Sequence, residues 1–409
     1  MGTTAMTTTR RQMAAIAASG IAACAVLYLF FYRPIDGFDY NFGYGYGRDF
    51  INFWAAGKLA LNGDGRLLTD FDAYNIWLRA QFAADIGPFH NFSYPPHLVP
   101  LLLPFGALPY DVALALFTAL SAVSVWLAVR CASRQQDTGV AALMAVISPG
   151  VIATAFQGQL TSFIAALLFA ALMLIDRRPV VAGILLGLMS VKPHMGLVIG
   201  LLLLVEQRWR VAAAAAVTAA ALVVASIALM GVEAWTGFFG VTLAKQAEFM
   251  NNMAAGFRYF QIAPYAGFRG VGLPPAAATV LHGAMAVALA AAAIVIWLRQ
   301  RDRLFAALAV ATASVLATPY ANSYDLTLLA LPLAAIYAAA REPSSLHGPA
   351  GALLWLAPAL TIPVAIVALP AMPIAVLAAA AAALLPAALS TFKPRSPDER
   401  PCQARQATA

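Results

Sequence analysis

Apolar stretches recur along almost the whole chain, each ended by a short polar or basic segment. Runs of about 20 apolar residues are what a helix needs to cross a bilayer. The pattern predicts spans at roughly 13–32, 109–130, 138–153, 158–175, 179–191, 194–206, 211–231, 274–298, 303–318, 325–340, 350–368 and 372–390. The expected fold is therefore an all-α polytopic membrane protein with about twelve transmembrane helices in one domain, residues 1–390, and a disordered cytoplasmic tail, 391–409.

Two interruptions are too long to be connectors. The first, 33–108, reads as an amphipathic helix from Asp49 to Leu61 and a turn at Asn62-Gly63-Asp64-Gly65. A second helix follows around Asp72 to Ala84, then Tyr94-Pro95-Pro96-His97 and a short apolar stretch, Leu98 to Leu108, that dips into the membrane interface. The second interruption, 231–273, carries Lys245, Glu248, Arg258, Gln261 and Arg269.

Composition supports the membrane reading. The chain has 409 residues, 62% hydrophobic and 11% charged, with a mean hydropathy of +0.78. Soluble proteins carry about 25% charged residues. The formal charge of +7 does not imply nucleic acid, because the basic residues lie in short clusters between apolar runs, where they set topology. The clusters are Arg10-Arg11, Arg130/Arg134, Arg177-Arg178, Arg208/Arg210, Arg299/Arg301/Arg303, Arg341 and the tail. Placing all of them in the cytoplasm puts both termini inside and both long loops outside. Met13 to Tyr32, behind Arg10-Arg11, reads as the first transmembrane helix and not as a cleavable signal. Cys24, Cys131 and Cys402 have no metal or redox spacing.

One segment decides the parity. Val180 to Val205 as a single helix would send Arg208 and Arg210 outside. A break at Val191-Lys192-Pro193-His194 makes it a hairpin of two short arms instead. Each arm of about 12 residues reaches about 18 Å, against a hydrocarbon core of about 30 Å. The turn is thus expected below the membrane surface, where irregular backbone must line protein or a watery cavity.

The candidate chemistry collects at such places. Asp49, in Gly47-Arg48-Asp49-Phe50-Ile51-Asn52-Phe53-Trp54, starts a helix. It could simply cap that helix, or serve as a general base at the interface. Lys192 with Pro193 and His194 suits an anion such as a lipid phosphate; alternatively the lysine snorkels or pairs with an acid of the first loop. Gln157-Gly158-Gln159 with Thr161-Ser162 could bind sugar hydroxyls or glue helices. Thr318-Pro319-Tyr320-Ala321-Asn322-Ser323-Tyr324-Asp325 is another helix break with converging polar groups, in which Asp325 could be a cap. Arg258 and Arg269 could hold a phosphate or be merely solvated. Asn91-Phe92-Ser93 has the form of a glycosylation sequon. No Walker loop, zinc motif or nucleotide fingerprint occurs in a fitting context.

Three segments in order, "GRDFINFWAAGKLALNGDG", "FSYPPHLVPLLLPFGALP" and "GQLTSFIAALLFAALMLIDRRPVVAGILLGLMSVKPH", resemble glycosyltransferase family 87 over about residues 40–330. That family includes mannosyltransferases that use polyprenyl-phosphate mannose. The resemblance implies a GT-C fold, with a cavity under extracytoplasmic loops in a bacterial plasma membrane. It implies a polyprenyl-phosphate sugar donor, a lipid or glycan acceptor, inversion at the anomeric carbon, and no cofactor or metal. The family's aspartate of the first outer loop maps onto Asp49, its YPP segment onto Tyr94-Pro95-Pro96, and its lysine-proline break onto Lys192-Pro193. Substrate contacts are then expected from Lys192, His194, Arg258, Arg269, Gln159, Asn52, Tyr94, Tyr320 and Asn322. The opening "DGFDYNFGYGYG" carries no acceptor signature. A flippase for a lipid-linked sugar would use the same buried cation without needing Asp49 as a base. A non-catalytic scaffold would leave the lysine-proline break unexplained.

Overall fold

The structure is a computed structural model. It describes residues 47–82, 90–132, 138–252, 259–300, 302–339, 348–368 and 370–390, most of 14–29, and residues 33 and 346. Every regular element among these is helical. In chain order they are α1 (Ala17–Val26), α2 (Phe50–Leu61), α3 (Phe71–Gln81), α4 (Val99–Gly106), α5 (Tyr110–Ala132), α6 (Thr138–Val146), α7 (Pro149–Phe156) and α8 (Thr161–Leu174). They continue as α9 (Pro179–Met189), α10 (Leu197–Val205), α11 (Trp209–Met230), α12 (Glu233–Gly237), α13 (Leu243–Asn252), α14 (Pro264–Gly270) and α15 (Pro275–Arg299). The last are α16 (Arg303–Leu316), α17 (Thr327–Ala339), α18 (Pro349–Val367) and α19 (Ala371–Ser390).

Five stretches among the described residues are long and apolar enough to cross a membrane: Tyr110–Arg130, Thr138–Phe156, Trp209–Met230, Pro275–Arg299 and Pro349–Val367. The remaining apolar helices are shorter. The chain is an integral membrane protein built from both kinds. The short helices bury more of their surface: α16 and α17 are enclosed almost all round, whereas α11 and α15 present most of theirs outward.

The break at Lys192-Pro193 is present. Helix α9 stops at Met189, a single 3-10 turn covers Pro193–Gly196, and α10 begins at Leu197. Proline lacks the amide donor that helix continuation requires. The two arms form a hairpin. Asp176, just before α9, pairs with Arg208, just before α11, at 2.6 Å. The start of α9 and the end of α10 therefore lie at the same end of the molecule. Helix α11 then runs parallel to α9: Gly183 faces Val211 and Ala214, and one turn on, Gly187 faces Ala215 and Thr218. A Cβ at Gly183 or Gly187 would come within 2.4–2.6 Å of α11 atoms. This small-xxx-small stripe lets the backbones approach closely, as helices do where lipid gives no hydrophobic drive.

Helix α2 departs from expectation. It was expected to be amphipathic, with a wet face, but every residue from Phe50 to Ala60 is buried except Lys58. The cause is a glycine crossing with α4. A Cβ on Gly106 would sit 2.2 Å from the Gly57 backbone, and one on Gly57 would sit 2.4 Å from the Leu102 carbonyl. The α2–α4 part of loop one is thus packed into the core, with Trp54, Phe82, Tyr110, Phe105 and Phe117 in ring contact around α2. Helix α3 is capped by Asp70, whose side chain accepts from Ala73 N.

Candidate active site

A cavity of about 710 Å³ lies between the two loops and the hairpin turn. Its size falls in the usual range for small-molecule sites, about 300–1,000 Å³. Three helix interruptions and the first-loop turn converge on it: 47–49, 157–160, 190–196 and 318–323. An unwound segment frees backbone groups and aims side chains that a continuous helix would send outward.

The 47–49 turn is tight. Gly47 and Arg48 both have left-handed backbone, φ 83° and 46°. Gly158, at φ 60°, packs directly on this turn, and a Cβ there would sit 2.1 Å from the Gly47 carbonyl oxygen. The Asp49 amide donates to the Gln157 carbonyl at 3.2 Å. Asp49 precedes α2 but makes no side-chain capping bond. Its Oδ2 accepts from Gln159 Nε2 instead. The other end of the same amide, Gln159 Oε1, accepts from the Tyr94 hydroxyl at 2.8 Å. Burial, and after it the charges of Asp325 and Asp49, push the Tyr94 hydroxyl well above the usual tyrosine range. Tyr94 therefore keeps its proton and fixes the amide orientation, so that the Gln159 N–H points at Asp49.

The second charged group is deeper. Lys192 Nζ is paired with Asp325 Oδ1, and also donates to Thr161 Oγ1 at 3.2 Å. Asp325 accepts in turn from Thr161 Oγ1 at 3.2 Å and from the Asn322 amide at 2.9 Å. A lysine removed from water needs such a set, since effective burial of one ion costs several kcal/mol. Its partner is thus Asp325, and not an acid of the first loop. Asp325 does bond to its own helix start, as a cap would, but the ion pair is the larger role.

The expected contact residues divide. Asp49, Asn52, Tyr94, Gln159, Lys192, His194, Tyr320 and Asn322 all line the cavity. His194 Nδ1 and the Tyr320 hydroxyl are 3.0 Å apart. Asn52 Oδ1 already accepts from Tyr74 at 2.9 Å, and Asn322 Nδ2 donates to Tyr324 at 2.9 Å. Arg269 donates to the Leu273 carbonyl at 2.9 Å, closing the end of α14, and is not among the residues lining this cavity. Arg258 lies outside the described residues. The lining also includes Tyr324 and Asp325, from the expected break at 318–325, and residues not expected as contacts: Arg48, His90, Asn91, Ser93, Lys245, Gln246 and Phe260. Arg48 has a sequence signal, since it stands beside Asp49 after a glycine. The 246–93 approach has none, because it joins loops distant in sequence.

The glycosyltransferase family 87 model matches residues 92–319, more than half of the chain. The chain belongs to glycosyltransferase family 87. It is accordingly a membrane glycosyltransferase, using a sugar donor and an acceptor. No curated protein and no solved structure matches it. The family 87 match takes in Tyr94, Gln159, Lys192 and His194; Asp49 precedes it, and Tyr320, Asn322 and Asp325 follow it. The cavity joins these three stretches into one site.

Proposed function

We propose that the protein transfers a sugar, with mannose as the first candidate, from a polyprenyl-phosphate donor to a hydroxyl acceptor on the extracytoplasmic face of a bacterial plasma membrane. The observation that carries the reading is Asp49. It is a carboxylate lining a 710 Å³ cavity, held by Gln159 and left out of the helix cap it would otherwise serve.

In the proposed reaction the acceptor hydroxyl gives its proton to Asp49 as its oxygen bonds to the anomeric carbon. The bond from that carbon to the phosphate oxygen breaks, and its electron pair leaves with the phosphate. Attack opposite the leaving group inverts the anomeric centre. The phosphate gains one negative charge while the carboxylate gains the proton, so charge balances. Lys192 is oriented by Thr161 and Asp325, with a third N–H not used by either of them. It is suited to meet the charge growing on the phosphate. Because Asp325 already offsets much of that charge, Arg48 in the same wall supplies the further cation. The hairpin arms, Pro179–Met189 and Leu197–Val205, are too short to cross a bilayer core of about 30 Å, which supports a donor phosphate meeting Lys192 below the membrane surface.

The test is Asp49→Asn in protein reconstituted with polyprenyl-phosphate sugars and a lipid extract as acceptor. A general base contributes about 10²–10⁴-fold, so transfer should fall by that factor with donor binding retained. Full transfer by the variant would remove Asp49 as the base. Lipid movement across vesicles without any transfer by the unsubstituted protein would favour a flippase.

A further inference from the structure

The cavity has a second polar cluster that the reaction above does not use. Its members come from the two loops. Ser93 comes from the first loop, and Gln246 from α13 of the second. Gln246 Nε2 donates to Ser93 Oγ, and Asn91 Nδ2 donates to the same oxygen at 2.6 Å. All three side chains are half-buried and line the cavity. A serine oxygen has two lone pairs and one hydrogen. Two amides occupy the lone pairs, which leaves the Ser93 O–H to donate elsewhere. Among the described residues the carbonyl oxygens of Asn91 and Gln246 accept from no protein group. The cluster therefore offers one hydroxyl donor, two carbonyl acceptors and the spare amide hydrogens, side by side.

That set matches a polyol. Each sugar hydroxyl both donates and accepts, and a row of them engages alternating donors and acceptors. A lipid alcohol has a single hydroxyl and would leave most of this cluster unpaired, which is costly once water is excluded. Position agrees. Ser93 is the chain neighbour of Tyr94, whose hydroxyl reaches Asp49 through Gln159. Phe53 and Phe260 line the same space. Asn91 heads a sequon, but its amide is turned onto Ser93.

We propose that Asn91, Ser93 and Gln246 form the acceptor subsite, and that it takes a glycosyl headgroup and not a bare lipid alcohol. This deepens the transferase reading and rests on it only for the word acceptor. Binding of a glycoside can be measured without any chemistry.

The experiment uses the full chain in nanodiscs, with octyl hexopyranosides (manno, gluco, galacto) and octan-1-ol as probes. Saturation-transfer NMR reads contact at the sugar ring protons, and titration gives affinity. At least one glycoside should receive saturation at its ring protons and bind more tightly than octanol. Asn91→Ala and Gln246→Ala should each weaken it by about tenfold, the loss of roughly one hydrogen bond. Ring protons that receive no saturation, octanol binding as tightly as every glycoside, or variants that bind like the unsubstituted protein would each overturn the subsite. If binding behaves as expected but no polyprenyl-phosphate sugar is consumed, the subsite stands and the donor reading fails.

Discussion

Two ionic clusters sit at opposite ends of the hairpin, built from the same chemistry. At the turn, Lys192 and Asp325 have side chains 5% and 2% exposed. At the open end, Asp176 bridges Arg208 and Arg303, Arg208 reaches Glu206, and Glu206 accepts from Trp297 at 3.1 Å. There the Arg208 and Asp176 side chains are 28% and 46% exposed. The open cluster fastens α9, α11, α15 and α16 where they begin or end, in water-facing geometry that screens its energy. The buried pair has no such screening. It is worth little as net stability compared with an apolar pair, and under the proposed reaction its use is a positioned ammonium.

Substitutions can break this comparison. The largest effect should come from Asp325→Asn, which leaves Lys192 buried without its counter-charge. Stability should fall by about 3–5 kcal/mol, read as the midpoint of thermal unfolding in detergent. Pairing Lys192→Met with Asp325→Leu should recover most of that stability while transfer stays lost. A double variant as unstable as the single one would show that the pair is needed for folding.

A smaller effect is expected at Gly158. Alanine there must hold φ near +60° and place a Cβ against Gly47 and Phe50. Left-handed strain and overpacking together cost about 2–4 kcal/mol. Transfer should fall more than the melting point suggests, because the displaced turn carries Asp49. Unchanged transfer would detach the Gly158 packing from catalysis.

The smallest effect belongs to the open cluster. Asp176→Asn should cost no more than about 1 kcal/mol and leave transfer within about twofold, with the difference shrinking further at high salt. A loss as large as that of Asp325→Asn would mean that the open end is as dry as the turn.

The sequence carried a good deal of this. Apolarity marked where the helices run, but not their lengths: five are long enough to span and the others are shorter. Charge parity required the hairpin, and the Arg208–Asp176 bridge agrees with it. Asp49, Gln159, Lys192 and Tyr320 were legible because polar residues at helix breaks in an apolar chain have few places to go. Arg269 is the opposite case: a loop arginine can satisfy a nearby carbonyl, as it does at Leu273, as readily as a phosphate, and residue type alone does not distinguish the two. Helix α2 misled because its polar positions look outward until another helix covers them.

What the chain determined by itself was a membrane protein of family 87 type, with its breaks and its candidate base. Only tertiary structure chose the partners: Gln159 for Asp49, Asp325 for Lys192, Gln246 for Ser93. Each pair joins residues far apart in sequence. Hydrogen bonds and ion pairs act over a few ångströms, so which groups meet depends on how the helices pack, and apolar patterning does not encode it.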